Sequence, residues 1–172
     1  MIPARSSHHL NLIDAAATQA LAENVAALLR SDLNDFSSGL VLFLSGSLGA
    51  GKTTWVRSLL RALGHLGRVR SPSFTIMEPY NLAGLNIYHF DFYRFTASEE
   101  WREAGFDELI GAPDSVSLIE WPEMAGQSLA QPDLWIRLSV LESDDDACGE
   151  RSCAIQSFSA VGANLAARVL NP

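Results

Sequence analysis

Apolar positions along this chain alternate between a helical and a strand period. Beyond Asp14, a residue type suited to capping a helix, Leu21, Val25, Leu28 and Leu29 recur at helical spacing. Ser37–Gly39 interrupts the run. Leu40–Leu44 is then continuously apolar, the pattern of a strand at the centre of a sheet covered on both faces. The turn Gly46–Gly51 feeds at once into a second helix from near Lys52. That helix has Val56, Leu59, Leu60 and Leu63 on one face, Arg57 and Arg61 on the other, and Gly64 as its stop. Pro72 disfavours helix at Ser71, so Ser71-Pro72-Ser73 reads as extended or turn.

Phe74–Asn81 and Leu85–Tyr93 read as two strands, and Leu82-Ala83-Gly84 between them predicts an antiparallel hairpin. Glu99–Ile110 predicts short helical pieces broken at Gly105. Ser115–Ile119 is a strand ending at Glu120, and Pro122–Ala125 a helical turn. Leu134–Leu141 alternates as a half-solvated strand does, Arg151–Phe158 is a weaker strand, and Ser159–Leu170 is a terminal helix with Val161, Leu165 and Val169 inward. These elements predict an α/β fold: one domain over residues 1–172 with a mixed sheet, an antiparallel hairpin and helices on both faces.

Composition changes this picture little. An apolar share of 48% and a charged share of 19% suit an ordinary globular protein. No apolar run approaches the roughly 20 residues of a membrane span, and the N-terminus has no hydrophobic stretch of signal-peptide length, so a cytoplasmic protein without membrane contact is expected. Cys148 and Cys153, with four residues between them and without accompanying His, make a poor zinc site and are expected as plain thiols. The net charge of −8 argues against broad nucleic-acid binding. Locally, Arg57, Arg61, Arg68, Arg70 and Arg94 gather in one stretch, and Asp144–Asp146 forms an acidic turn. Among 12 basic residues Lys52 is the only lysine.

That lysine lies inside Gly46-Ser47-Leu48-Gly49-Ala50-Gly51-Lys52-Thr53, a full match to the phosphate-binding loop G-x-x-x-x-G-K-[ST]. The strand before it and the helix after it are the context the motif requires. Glycines admit backbone conformations in which several N–H groups converge on oxygen. The helix start adds unpaired N–H groups and a positive dipole end. Lys52 can reach the β- and γ-phosphates as a compact charge, the Thr53 hydroxyl can ligate Mg²⁺, and Thr54 offers a hydroxyl toward the α-phosphate. A guanine-selective N-K-x-D segment is absent because the single lysine is already in the loop, which favours ATP over GTP.

Further along, His89, Asp91 and Tyr93 share one face of a predicted strand, while Tyr88, Phe90 and Phe92 share the other and can pack in the core. The polar face is either a site or a solvated surface. Glu120 ends an apolar strand, where phosphoryl-transfer sites place a carboxylate that holds Mg²⁺ directly or through water. Hydroxyls on Ser71-Pro72-Ser73-Phe74-Thr75 could sense a γ-phosphate.

Taken together, Gly46–Thr54 with its Leu48-Gly49-Ala50 interior, Ser71–Thr75, His89–Arg94 and Ile119-Glu120-Trp121-Pro122-Glu123 resemble the TsaE family, in order and in spacing. The helix carrying Thr18 and the segment Arg151–Leu170 match more loosely. The resemblance implies a partner-dependent ATPase of tRNA threonylcarbamoyladenosine biosynthesis. It would work with protein subunits that transfer a threonylcarbamoyl group to the adenosine beside the anticodon, so tRNA would be engaged indirectly. It further implies ATP and Mg²⁺ as cofactors, with Thr53 and Glu120 on the metal and Lys52, Asp91 and Glu120 as catalytic residues, Asp91 orienting or deprotonating water. Ser47, Leu48, Gly49, Ala50, Gly51, Lys52, Thr53, Thr54, Trp121 and Thr18 would contact the nucleotide. The chain departs from the family pattern at Ser47, often acidic there, and at Ser73, often Thr. Two rival readings use the same loop: a small-molecule kinase, and a nucleotide-regulated binding module docking through Arg57, Arg61, Arg68 and Arg70.

Overall fold

The central strand β2 (Leu40–Ser45) has parallel neighbours on both sides, β5 (Ser115–Glu120) and β6 (Leu134–Val140). That position explains its apolar run: both faces are covered, so alternation carries no advantage. β4 (Leu85–Asp91) pairs parallel with β5. The computed structural model describes residues 3–31, 37–141 and 150–170. The predicted acidic turn Asp144–Asp146 and Cys148 lie outside them.

Antiparallel strands close both ends of the sheet. β3 (Met77–Leu82) pairs with β4, β7 (Arg151–Ser157) with β6, and β1 (Ser6–Leu12) with β7. The order is β1-β7-β6-β2-β5-β4-β3, which is the mixed sheet with a hairpin that the sequence predicts.

The three long helices α1 (Ala15–Ser31), α2 (Lys52–Ala62) and α4 (Ala160–Leu170) share one face of this sheet. Their Leu29, Trp55, Leu59 and Leu165 join Leu42, Leu44, Leu118 and Ile136 in one core cluster. Burying such a side chain contributes about 1.5–3 kcal/mol. The opposite face buries Phe43, Phe90, Phe92 and Ile119 under short pieces, among them α3 (Glu100–Glu103) and the 3₁₀ turns Phe106–Glu108 and Pro122–Ala125. None of the described helices is long and apolar enough to cross a membrane.

Three local differences from the sequence expectation have physical causes. The strand predicted from Phe74 begins only at Met77, because residues 73–76 turn and Ile76 adopts φ 65°. The hairpin loop contracts to Ala83 and Gly84, both at positive φ, as a two-residue type I′ turn requires. Pro79 is tolerated because β3 is the sheet edge. Finally, β1 was not expected at all: its residues Ser6-Ser7-His8-His9-Leu10-Asn11-Leu12 carry almost no apolar signal, and it is held by pairing with β7 along its whole length.

Candidate nucleotide site

Parallel pairing brings three strand ends to one edge. Leu44 is in register with Glu120, and Glu120 with Asp91. The loop after β2, the carboxylate ending β5 and the carboxylate ending β4 therefore meet at the carboxyl edge of the sheet, where open α/β sheets bind ligands. They line a cleft of about 340 Å³ together with Ser71, Tyr93 and Trp121.

The loop's glycines have distinct jobs. Gly46 (φ 142°) passes so close to β6 that a Cβ there would lie 2.1 Å from the Leu138 carbonyl oxygen. Gly49 (φ 82°) faces open space, with nothing within 4 Å of its missing Cβ. Gly51 (φ 107°) is the N-cap of α2 and offers no side chain to its first-turn N–H groups. These amides have no acceptor within the helix and remain available to an anion in the cleft.

Lys52 is 4% exposed. Its Nζ donates to the carbonyls of Gly46 (2.7 Å) and Ser47 (3.0 Å) and stands 3.7 Å from the centroid of the Trp121 ring. Among the described residues it forms no ion pair. Burial pushes its pKa down, opposed by the more distant charges of Glu120, Glu123 and Asp91. A buried ammonium without a carboxylate in contact is costly, and an anionic oxygen entering the cleft would relieve that cost.

Glu120, 1% exposed, is held from two sides. Thr53 Oγ1 donates to its Oε2 at 2.9 Å, and His89 Nε2 lies 2.9 Å from its Oε1. Asp91 is also committed: Oδ1 accepts the Tyr93 backbone N–H at 2.9 Å, and Oδ2 accepts the Ser71 hydroxyl. The His89–Asp91 face is thus buried, at 0% and 3% exposure, and is not a solvated surface. Trp121 takes φ 58°, donates its backbone N–H to Leu44 O, and sets its ring 5.1 Å from that of Tyr93.

The donor set suits a hard cation. No group of three or more His, Cys, Asp or Glu side chains gathers among the described residues. One hydroxyl and one carboxylate, completed by phosphate oxygens and water, is how Mg²⁺ is usually held.

Not every predicted residue reaches the cleft. Leu48, Gly49, Gly51, Lys52, Thr53, Thr54, Asp91, Glu120 and Trp121 line it. Ala50 is buried beneath it, and its N–H closes the loop onto Ser47 O at 3.1 Å. Ser47 contributes that carbonyl to Lys52, not its side chain. Thr18 is buried in α1, 3.4 Å from the Asp14 carbonyl, and does not line the cleft. Sequence reasoning missed Arg151, whose Nε–H donates to Ala50 O at 2.9 Å from a strand a hundred residues away. It also missed the contact between His89 and Glu120.

The family model described as "Threonylcarbamoyl adenosine biosynthesis protein TsaE" matches residues 12–152. A protein named tRNA threonylcarbamoyladenosine biosynthesis protein TsaE from Haemophilus influenzae is 41% identical over 103 residues, 60% of this chain and 65% of that one. The match therefore spans just under two thirds of that relative's length. A Bacillus subtilis protein of the same name is 36% identical over 128 residues, 74% of this chain and 75% of its own. The crystal structure of Bacillus subtilis YdiB superposes with a TM-score of 0.74 at 28% identity, covering 96% of this chain and 95% of that one. Because that family model matches residues 12–152 of the 172, the chain belongs to the TsaE family.

Proposed function

We propose that this chain is the ATP-binding and ATP-hydrolysing subunit in the formation of tRNA threonylcarbamoyladenosine, acting with partner subunits that perform the transfer. The observation that carries the reading is Lys52: a buried ammonium with no carboxylate in contact among the described residues, lining a cleft at the start of α2, where Gly51 gives the first-turn amides no side-chain cap. Lys52 and these amides would bind and neutralise the phosphates. Thr53 and Glu120 would hold Mg²⁺, which when bound would neutralise phosphate charge. Asp91 would orient the attacking water. Residues 1–172 are taken as a single domain working in the cytoplasm.

Dependence on a partner is supported by membership of the family. Asp91 is held by one hydrogen bond on each oxygen, from Ser71 and from the Tyr93 amide, and each oxygen keeps a lone pair that can orient water. A kinase reading has less support. The segment after β4 offers Arg102 as its single basic residue between 96 and 110, and Arg102 is paired with Glu99 at 2.6 Å.

Reconstituted tRNA modification with the partner subunits tests the proposal. Wild type should be required, and Lys52→Ala and Glu120→Ala should both be inactive. Full modification with either variant would refute it.

A further inference from the structure

We propose that His89 is the positioning residue of the cation half of the site: its Nε2–H fixes the Glu120 carboxylate so that Glu120 and Thr53 present their oxygens together. The inference rests on the nucleotide-binding reading above and assigns a role to a side chain that reading leaves unused.

His89 is on β4 and fully buried, 0% exposed, on the strand beside the one that Glu120 ends. Its register partner is Leu118, so the ring reaches diagonally toward the end of β5. Nε2 stands 2.9 Å from Glu120 Oε1. The other ring nitrogen, Nδ1, is buried with no partner among the described residues. A bare lone pair tolerates that isolation better than an N–H, so the hydrogen resides on Nε2 and is donated to Glu120.

Glu120 is then gripped from both sides: His89 from β4 on one oxygen, the Thr53 hydroxyl from α2 on the other. Two separate elements set the orientation of one carboxylate. Side-chain entropy that Glu120 would otherwise lose on taking up a cation is already lost in the fold. Hydrogen-bonded supports of this kind behind metal ligands commonly control affinity. A histidine filling core space alone would not need its single donor on the carboxylate that ends the next strand.

Calorimetric titration of ATP, with and without Mg²⁺, separates the roles. In His89→Leu, which keeps bulk and removes the donor, Mg²⁺-free ATP binding should match wild type, while the Mg²⁺ concentration at half-effect rises at least about tenfold. His89→Gln, whose amide N–H reaches where Nε2 lies, should restore the wild-type Mg²⁺ response, and the shorter His89→Asn should not. If His89→Leu does not fold, the Gln and Asn variants decide the matter. An unchanged Mg²⁺ response in His89→Leu or His89→Asn, or equal losses with and without Mg²⁺, overturns the positioning role while leaving the ATP reading intact. Wild type that binds no ATP in either condition overturns both.

Discussion

Replacing Gly46 by alanine should damage the fold as well as the site, and the structure sets the size of the effect. The added methyl carbon would stand 2.1 Å from the Leu138 carbonyl oxygen and 3.2 Å from the Ala50 Cβ. A carbon–oxygen contact normally needs about 3.3 Å, so the backbone of β6 or the loop must move by roughly 1 Å. Such overpacking costs about 1–3 kcal/mol. Holding alanine at φ 142° adds about 1–3 kcal/mol of backbone strain. A loss near 4 kcal/mol lowers Tm by about 8–16 °C for a chain of this size. Gly49→Ala provides the control, because its methyl meets nothing within 4 Å. Only the positive φ is paid there, about 1–2 kcal/mol, or roughly 2–8 °C. Thermal unfolding followed by circular dichroism without nucleotide measures both. Equal Tm losses would show that the close approach of Gly46 to β6 does not constrain the loop.

Lys52→Ala should weaken ATP binding at least about tenfold, since hydrogen bonds to charged groups contribute about 1.5–3 kcal/mol each. Lys52→Arg should not restore it, because the forked guanidinium cannot replace a point charge in that space; competition against a fluorescent ATP analogue reads both. Burial pushes the Cys153 thiol from 9.0 up to about 12. In that window the unfolded chain releases a proton that the folded chain keeps, so stability is intact below pH 9 and falls above it. Relative to Cys153→Ala, wild type should lose about 1.4 kcal/mol per pH unit there in urea unfolding; parallel pH profiles would contradict the assignment. Ser71→Ala removes a donor from the buried Asp91 carboxylate and should cost about 1.5–3 kcal/mol in the same assay. No change in unfolding midpoint would show that the Ser71–Asp91 contact does not hold the loop.

The parts of this protein legible in the sequence are those whose pattern is local. The run Leu40–Leu44, the glycines of the loop and the helix with Val56 and Leu59 each carry their own signal, and the loop, its lysine and the carboxylate ending β5 could be named from it, whereas Asp91 stood out only as one of three polar residues on a strand face until the family resemblance gave it a role. What escaped depended on pairing between distant segments. β1 is made a strand by β7, not by its own serines and histidines. Arg151 reaches Ala50 only because β7 lies beside β6, and β6 beside β2. His89 could be placed on a polar face, but its hold on Glu120 depends on the register between β4 and β5. Phe74 looked like the start of a strand and is 83% exposed, because Pro72 and the positive φ of Ile76 delay the extended chain to Met77.

Isothermal calorimetry of the folded wild-type chain with ATP and Mg²⁺ tests the central claim most directly. One saturable site for ATP, diminished in Lys52→Ala, is the outcome expected from the buried ammonium and the open amides of α2. No heat of binding from wild type with any adenine nucleotide, at concentrations that saturate other proteins with this loop, would contradict it.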